Sequence, residues 1–304
     1  MKNFMRILYI VIAVIVMAGC SEKNTKEDYD ISIISKNKVS LFKQENGSIK
    51  LQKEIIRSED YGFLKEDYYN QKDKMYLKTT VVGKDALLAK IDKESVNIKL
   101  KDDKSEPYTF THYKNKIYAT TLFANSFNII EYDENFKEVN KKEIKKEGVN
   151  VTNDIQVYKD NIYILGGNIN KNNQLRNLIW KFDMSYNLVE EIDLNYSQGA
   201  YMRFYIKDDV IYLTQNSQGL TEKNEPKGSN KLLKYYLNTK NTELITLNYS
   251  YPLNIYPDGD NLIIEHYSLY VPNYTWTILD TKNNKQKIIY FNDRPKNEDK
   301  PPFF

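Results

Sequence analysis

The two histidines of this chain are the side chains best suited to transition-metal chemistry. They are His112 and His266, and they lie in different parts of the sequence with no matching spacing around them. A zinc site needs three or four protein ligands that converge on the ion. Two isolated histidines do not meet this requirement. We therefore predict no metal site, and we interpret both histidines as ordinary strand residues.

The segment 257–261, with the sequence Pro-Asp-Gly-Asp-Asn, is the other candidate for ion binding. Its oxygen-bearing side chains alternate around a glycine, as they do in calcium loops. Asp-Gly is also a preferred pair for a tight hairpin turn, and we favour this interpretation. The chain contains neither the G-x-S-x-G pattern of a nucleophile elbow nor the G-x-x-x-x-G-K-[ST] pattern of a phosphate loop. We predict no catalytic residue and no cofactor.

The third reactive side chain is the thiol of Cys20, the only cysteine in 304 residues. Lys2 and Arg6 precede an uninterrupted apolar run, 7–17, and two small residues separate this run from Cys20. This order is typical of a secretory signal peptide. The apolar run is shorter than the roughly 20 residues that span a bilayer, which argues against a membrane-spanning anchor.

Met17, Ala18, Gly19 and Cys20 resemble the lipobox of bacterial lipoproteins. The residue three before the cysteine is usually Leu in that motif, and Met17 departs from it. The resemblance implies that residues 1–19 are cut off and that Cys20 becomes a lipidated N-terminus. It also implies that membrane lipid is a partner through Cys20, and that the protein is held on the extracytoplasmic face of the cell membrane.

The mature chain has no second cysteine, so we expect it to fold without disulfides. Residues 20–29 are polar, apart from Cys20 and Tyr29, and are predicted to form a short tether. Lys and Arg number 44 against 41 Asp and Glu, so the chain is nearly neutral. A nucleic-acid partner is not expected, because such proteins carry a basic face. The bias towards Lys, Asn and Ile suggests a low-GC Gram-positive source.

An internal repeat covers most of the remaining chain. A hydrophobic anchor follows a polar turn every 42 to 51 residues, at Tyr76, Tyr118, Tyr163, Tyr212 and Ile263. A second turn further along each copy is marked by an Asx residue: Asp92, Asp133, Asp183, Asn238 and Asp280. Asx side chains suit this place because they bond the backbone two residues on. Each copy predicts four short strands with alternating apolar residues.

Four strands every 40 to 50 residues are typical of propeller blades. In layout the pattern resembles the WD40, YVTN and NHL groups of β-propellers, although the Trp-Asp and Gly-His marks of WD40 are missing. We predict an all-β propeller over 30–291 with six four-stranded blades and an incomplete N-terminal blade. Seven blades and a Greek-key sandwich are the alternatives. We expect residues 292–304 to form a disordered tail.

Ligands of propellers usually lie on the face where the longer loops open, and those loops are rich in tyrosine here. The candidate binding face comprises Phe123, Tyr196, Tyr201, Tyr267, Tyr270 and Tyr274, and Tyr251 lies in the same set of loops. Aromatic rings and neighbouring amides suit sugars or extended peptides.

The sequence therefore predicts a membrane-anchored lipoprotein that acts as a binding or interaction module, with an envelope glycan or protein as its partner. The alternative is a propeller enzyme that acts on a cell-envelope glycan or a small molecule. A third hypothesis is an accessory subunit of an envelope complex. The propeller resemblance does not choose among these, because one fold hosts many functions.

Overall fold

A computed structural model describes residues 31–291 except 36–37, 46–47, 57–60, 71–73, 82–86, 93–97, 101–108, 124–125, 147–148, 170–174, 195–198, 200, 221, 224–225 and 267–273. Of the side chains before residue 109, only those of residues 43, 51–54 and 90 are described. The predicted signal peptide 1–19, tether 20–29 and tail 292–304 lie outside the described residues.

The described strands form six antiparallel sheets, and within each sheet every strand pairs with the next one along the chain. The first sheet has three strands: β1 (Ile31–Ser35), β2 (Lys38–Glu45) and β3 (Ser48–Ile56). The second has four: β4 (Tyr61–Asn70), β5 (Lys74–Val81), β6 (Leu87–Asp92) and β7 (Ile98–Leu100).

The other four sheets also have four strands each. They are formed by β8 (Thr109–Tyr113), β9 (Lys116–Phe123), β10 (Ser126–Asp133) and β11 (Glu138–Lys145); by β12 (Val149–Tyr158), β13 (Asn161–Ile169), β14 (Leu175–Asp183) and β15 (Leu188–Asp193); by β16 (Arg203–Lys207), β17 (Val210–Leu220), β18 (Pro226–Tyr236) and β19 (Thr242–Thr246); and by β20 (Pro252–Asp258), β21 (Asn261–His266), β22 (Tyr274–Asp280) and β23 (Gln286–Phe291).

The first strands of successive four-stranded sheets neighbour one another in chain order, from β4 through β8, β12 and β16 to β20. The sheets therefore stand face to face as blades. Side chains are described throughout most of the four blades from β8 to β23, which is fewer than the six blades, the first of them incomplete, that we predicted. The repeat of a four-stranded sheet is confirmed.

The core lies between the blades, and strand alternation divides each blade between two interfaces. In β13, Ile162 and Ile164 pack towards the preceding blade, whereas Tyr163 and Leu165 pack towards the following one. Successive side chains of a strand point to opposite faces, so both faces of the sheet are buried. This explains why the middle strands are almost continuously apolar rather than half polar.

The second turn of each blade follows the predicted Asx chemistry in three of the four described copies. Asp133 Oδ1 accepts from the N–H of Asn135 at 2.8 Å, and Asp183 and Asp280 do the same two residues on. Asn238 was the wrong residue for this role. The equivalent backbone position belongs to Tyr236, whose N–H donates to the Asn241 carbonyl at 2.9 Å.

Candidate functional site

The two ends of the blades differ. At one end, which we call the turn face, the first two strands of each blade are joined by two residues: 114–115, 159–160, 208–209 and 259–260. These turns carry positive φ angles, as tight hairpins require. Segment 257–261 lies here, with Gly259 at φ 56°, so it is the hairpin turn that the sequence predicted. The opposite end is the loop face.

Charged side chains link neighbouring blades along the turn face. Lys114 Nζ lies 2.6 Å from Asp160, and Lys159 Nζ lies 2.7 Å from Asp209 in the next blade. Hydrogen bonds from these lysines lower the pKa values of both aspartates. The pairs are largely exposed, and exposed ion pairs contribute little to stability. Each pair joins opposite charges on the turns of two neighbouring blades.

The innermost strands use polar side chains to bond to one another. Gln156 in β12 donates from Nε2 to the carbonyl of Phe204, and its Oε1 accepts the N–H of Ile206 at 3.1 Å. Asp154 accepts the N–H of Phe204 at 3.0 Å. An innermost strand has no neighbouring strand on its inner edge, so its backbone groups need other partners. These side chains supply the partners and belong to the scaffold.

Tyr251 on the loop face has a backbone conformation unlike that of its neighbours. Eleven described residues other than glycine have positive φ, and the other ten lie in the turns of the turn face. Tyr251 has φ 59° and precedes Pro252. Positive φ is rare for a bulky residue, and a following proline restricts the backbone further. Such strain is common at active sites and ligand clamps, where the surrounding structure over-determines the backbone conformation.

Three contacts hold Tyr251 in place. Its N–H donates to the carbonyl of Ser229 at 2.6 Å. Its ring lies on Gly228, where a Cβ would come within 2.4 Å of the ring carbons. The preceding carbonyl, that of Ser250, accepts from Nδ1 of His266 at 2.9 Å. The ring is therefore positioned on one side by the protein, while the side chain as a whole stays partly exposed.

His266 is fully enclosed beneath this corner. Its Nε2 lies 2.8 Å from Thr277 Oγ1, and the Tyr249 ring meets it edge-on with centroids 6.0 Å apart. Burial lowers the pKa of His266 to about 4. The ring is therefore neutral near pH 7, and its proton is on Nδ1, which donates to the Ser250 carbonyl. Thr277 donates to Nε2. His266 is a positioning residue for the chain that carries Tyr251.

Amides and hydroxyls of β17 and β18 lie beside the corner. Ser229 Oγ donates to Gln215 Oε1 at 3.2 Å and accepts from Gln218 Nε2 at 3.3 Å. Gln215 is buried, and within the described part of the chain nothing accepts from its Nε2. We call Gly228, Ser229, Tyr249, Tyr251 and His266 the tyrosine corner. It combines an aromatic surface with nearby amide donors.

The predicted binding residues have different outcomes in the structure. Tyr201 was wrongly placed on the binding face: it is 1 % exposed and packs with Leu194 and Phe204 in the core. Tyr196, Tyr267 and Tyr270 lie outside the described residues. Phe123 and Tyr274 are described only through their backbones, at the loop-face ends of β9 and β22. The connection 267–273 leaves β21 at His266, so it starts beside the tyrosine corner.

The two histidines are not brought together. His112 is buried in β8, 3.5 Å from the Glu134 carboxylate, whereas His266 ends β21 in another blade. The described residues contain no group of three His, Cys, Asp or Glu side chains that could hold a metal ion. In the same part of the chain, no helix is long and apolar enough to cross a membrane.

No protein-family model and no curated protein matches this sequence. Solved structures do resemble it. A chain of a nidogen/laminin complex aligns with a TM-score of 0.56 and 10% identity over 85% of this chain and 92% of that one. The WD40 domain of Neurospora crassa Pan2 aligns at 0.54 with 9% identity, over 85% and 74%. A putative 6-phosphogluconolactonase from Bacteroides fragilis aligns at 0.57 with 11% identity, over 90% and 85%.

The fold is a β-propeller. Its blades have four strands, and its layout is similar to that of WD40 propellers. The predicted fold class is therefore confirmed at this level. Identities of 9 to 11% describe the architecture and carry no activity across.

Proposed function

We propose that this protein is a lipid-anchored, extracytoplasmic propeller that binds an envelope glycan at the tyrosine corner. The observation that carries the proposal is the strained conformation of Tyr251, which three separate contacts maintain on the loop face. Strain of this kind costs roughly 1–3 kcal/mol and persists where the surrounding structure over-determines it, often at ligand clamps. A held aromatic ring is a suitable platform for a ligand.

A glycan fits this corner better than a charged ligand. Sugar rings offer apolar faces that stack on tyrosine, and their hydroxyls pair with amides such as that of the partly exposed Gln218. The chain is nearly neutral, and the ion pairs of the turn face are mutually satisfied. The nidogen/laminin complex illustrates the alternative, a protein partner.

Affinity capture from crosslinked cell envelopes tests the binding proposal. The bait is the lipidated protein, beside Tyr251→Asn and the control Tyr113→Asn at the turn-face end of β8. Asn tolerates positive φ, so the first variant removes the ring with little backbone cost. We expect amino sugars on the wild type and the control, and about tenfold less on Tyr251→Asn, since an aromatic contact is worth about 1.4 kcal/mol.

A second pair of variants changes the position of the ring without removing it. Gly228→Ala forces the Tyr251 ring to move, whereas Gly259→Ala meets no atom within 4 Å. We expect capture to fall with Gly228→Ala and to persist with Gly259→Ala. Equal capture by all baits contradicts the tyrosine corner as the binding site. Capture of protein without amino sugars contradicts the glycan and favours a protein partner.

The anchor is a proposal that rests on the motif at Met17, Ala18, Gly19 and Cys20. We expect the wild type to incorporate an alkyne-labelled fatty acid and to enter the detergent phase on Triton X-114 partition. Cys20→Ser should lose both properties. A wild-type chain that stays in the aqueous phase without label contradicts lipidation at Cys20.

We further propose that the ring has six blades, one for each sheet, with β1–β3 as the incomplete N-terminal blade. The supporting observation is that β1–β3 form an antiparallel sheet of their own, ahead of the five four-stranded sheets.

A further inference from the structure

The outermost strand of a blade has one edge with no neighbouring strand in its own sheet. In the blade of β16–β19 that strand is β19. The N–H of Leu247, just after β19, donates to the Asn230 carbonyl of β18 at 2.8 Å, so the odd-numbered residues bond β18. Inward and outward bonding alternate along an antiparallel strand. Thr242, Leu244 and Thr246 therefore direct their backbone N–H and C=O groups outward.

Gln286 covers one end of this outer edge. It lies in β23 of the next blade, where its Nε2 donates to the Thr246 carbonyl at 2.8 Å and its Oε1 accepts the N–H of Asn248 at 3.0 Å. A residue of a parallel neighbouring strand makes the same two bonds, to the C=O of one residue and the N–H two residues on. Gln156 bonds the inner edge of β16 in the same pattern. The Gln286 amide thus takes the place of a neighbouring strand.

The rest of the edge is suited to pairing with another strand. The β18–β19 ladder has no register shift, whereas the β10–β11 and β14–β15 ladders each have one. Bulges and lysines protect exposed edges, and β11 also carries Lys141, Lys142 and Lys145. The sequence of β19 is Thr-Glu-Leu-Ile-Thr, and Leu244 is 55 % exposed. Of these three outer strands, β19 is therefore the least protected.

We propose that the outer edge of β19 is a pairing surface for a second copy of this chain, and that Gln286 keeps it largely closed. Antiparallel pairing about a two-fold axis at Leu244 places threonine opposite threonine and Glu243 opposite Ile245. No like charges then face each other, which would be destabilising. The same symmetry at the centre of β15 would bring two glutamates together. This inference does not depend on the glycan proposal.

Sedimentation velocity of the mature chain with Cys20→Ser tests the pairing without a lipid anchor. One short strand gives a small interface, so we expect this chain to be a monomer. Gln286→Ala opens the Thr246 carbonyl and the Asn248 N–H, and it should produce a dimer that grows with concentration. Lys231→Ala is the matched control, because it removes a side-chain contact to Thr246 Oγ1 and leaves the backbone edge covered. This control should stay monomeric.

Blocking variants locate the contact. Leu244→Pro added to Gln286→Ala should restore the monomer, because the Leu244 N–H points away from β18 and proline removes no bond of that ladder. Leu244→Lys is a second blocking variant, since an edge lysine opposes pairing without restricting the backbone. A Gln286→Ala chain that stays monomeric over the whole concentration series overturns the proposal. A dimer that persists in both blocking variants also overturns it.

Disulfide trapping tests the register. The Cys20→Ser chain has no other cysteine, so Leu244→Cys on the Gln286→Ala background gives one thiol per chain. Facing residues of a hydrogen-bonded antiparallel pair have Cα atoms about 5.5 Å apart, within disulfide range. Val189→Cys is the control, because Val189 is 56 % exposed in the bulged strand β15. We expect at least about tenfold more disulfide-linked dimer from Leu244→Cys. Equal yields from the two positions overturn the proposed register.

Discussion

His266 illustrates how single residues work in this propeller. The side chain is buried at the loop face, and both ring nitrogens have partners, the Ser250 carbonyl and Thr277. The sequence analysis placed it correctly in a strand. It did not predict the contact with Ser250, because that residue is 16 positions away and comes close only when β20 pairs with β21.

The pH dependence of stability should report His266. Its pKa is about 4 in the folded chain and near 6.5 when unfolded. The unfolded chain therefore binds a proton first as the pH falls, and folding stability declines from about pH 6.5 towards pH 4. The loss approaches about 3 kcal/mol. His266→Gln should flatten this part of the curve, measured by urea unfolding from pH 7.5 to 4.5.

A wild-type and variant pair with parallel stability curves over that range would contradict a neutral, buried His266. His112→Gln serves as the comparison, since it removes the other histidine from a different blade. Carboxylates titrate mainly below this range, so the difference between the two histidine variants isolates the His266 contribution.

Tyr201 marks the limit of residue-level prediction. Its position in a tyrosine-rich inter-blade segment resembles that of Tyr251, yet it is buried against Leu194 and Phe204. The sequence around both residues is polar and lacks a pattern. Which ring faces the solvent depends on the packing of two blades, which local composition does not encode. Gly228 was missed for the same reason, because its role is to make space for a distant ring.

At the scale of the strand, the innermost elements depend on side chains to complete their hydrogen bonds. Gln156→Ala removes the partners of Phe204 and Ile206. We expect a loss of about 2 kcal/mol in the free energy of unfolding, since each lost bond costs about 1 kcal/mol. Gln286→Ala is the matched control, because Gln286 makes the same two kinds of bond, to Thr246 and Asn248, in an exposed place.

Water replaces the lost partner at an exposed site, so Gln286→Ala should cost about 0.5 kcal/mol or less. Urea denaturation of the two variants at fixed pH gives both values. Equal losses would show that the innermost strands do not depend on Gln156.

Gly166 tests the close packing of a middle strand. A Cβ at this position would lie 2.2 Å from the Val151 carbonyl oxygen and 2.6 Å from the Trp180 ring. We expect Gly166→Ala to cost about 3 kcal/mol, because a backbone and an indole must both shift. Gly259→Ala should cost about 1 kcal/mol, from its φ of 56° alone. Thermal unfolding of both variants measures the difference, and a Gly259→Ala effect as large as that of Gly166→Ala would contradict this packing.

The elements were more predictable than the site. The anchors Tyr118, Tyr163 and Tyr212 lie in the second strands of their blades, as the repeat predicted. The prediction for the turn aspartates is confirmed, because their hydrogen bonds are local. The prediction for Asn238 is wrong because the backbone position equivalent to Asp133 belongs to Tyr236, two residues earlier.

At the scale of the whole molecule, the two faces have different roles. The turn face repeats the same short turns and inter-blade pairs, such as Lys114 with Asp160. The loop face differs from blade to blade, and Tyr251 with its strained backbone lies there. We infer that the repeat maintains the scaffold, while the irregular face supplies recognition. The sequence predicted this division through loop lengths, but it did not locate the corner between the last two blades.

Hydrogen–deuterium exchange of the mature domain, with and without soluble glycan strands released from purified cell wall, tests this account most directly. We predict slower exchange on glycan addition in residues 228–230 and 249–254, and no change in the turns at 114–115, 159–160 and 208–209. The same experiment on Tyr251→Asn should show no protection. Protection confined to the turn face, or equal protection in the wild type and Tyr251→Asn, would contradict binding at the tyrosine corner.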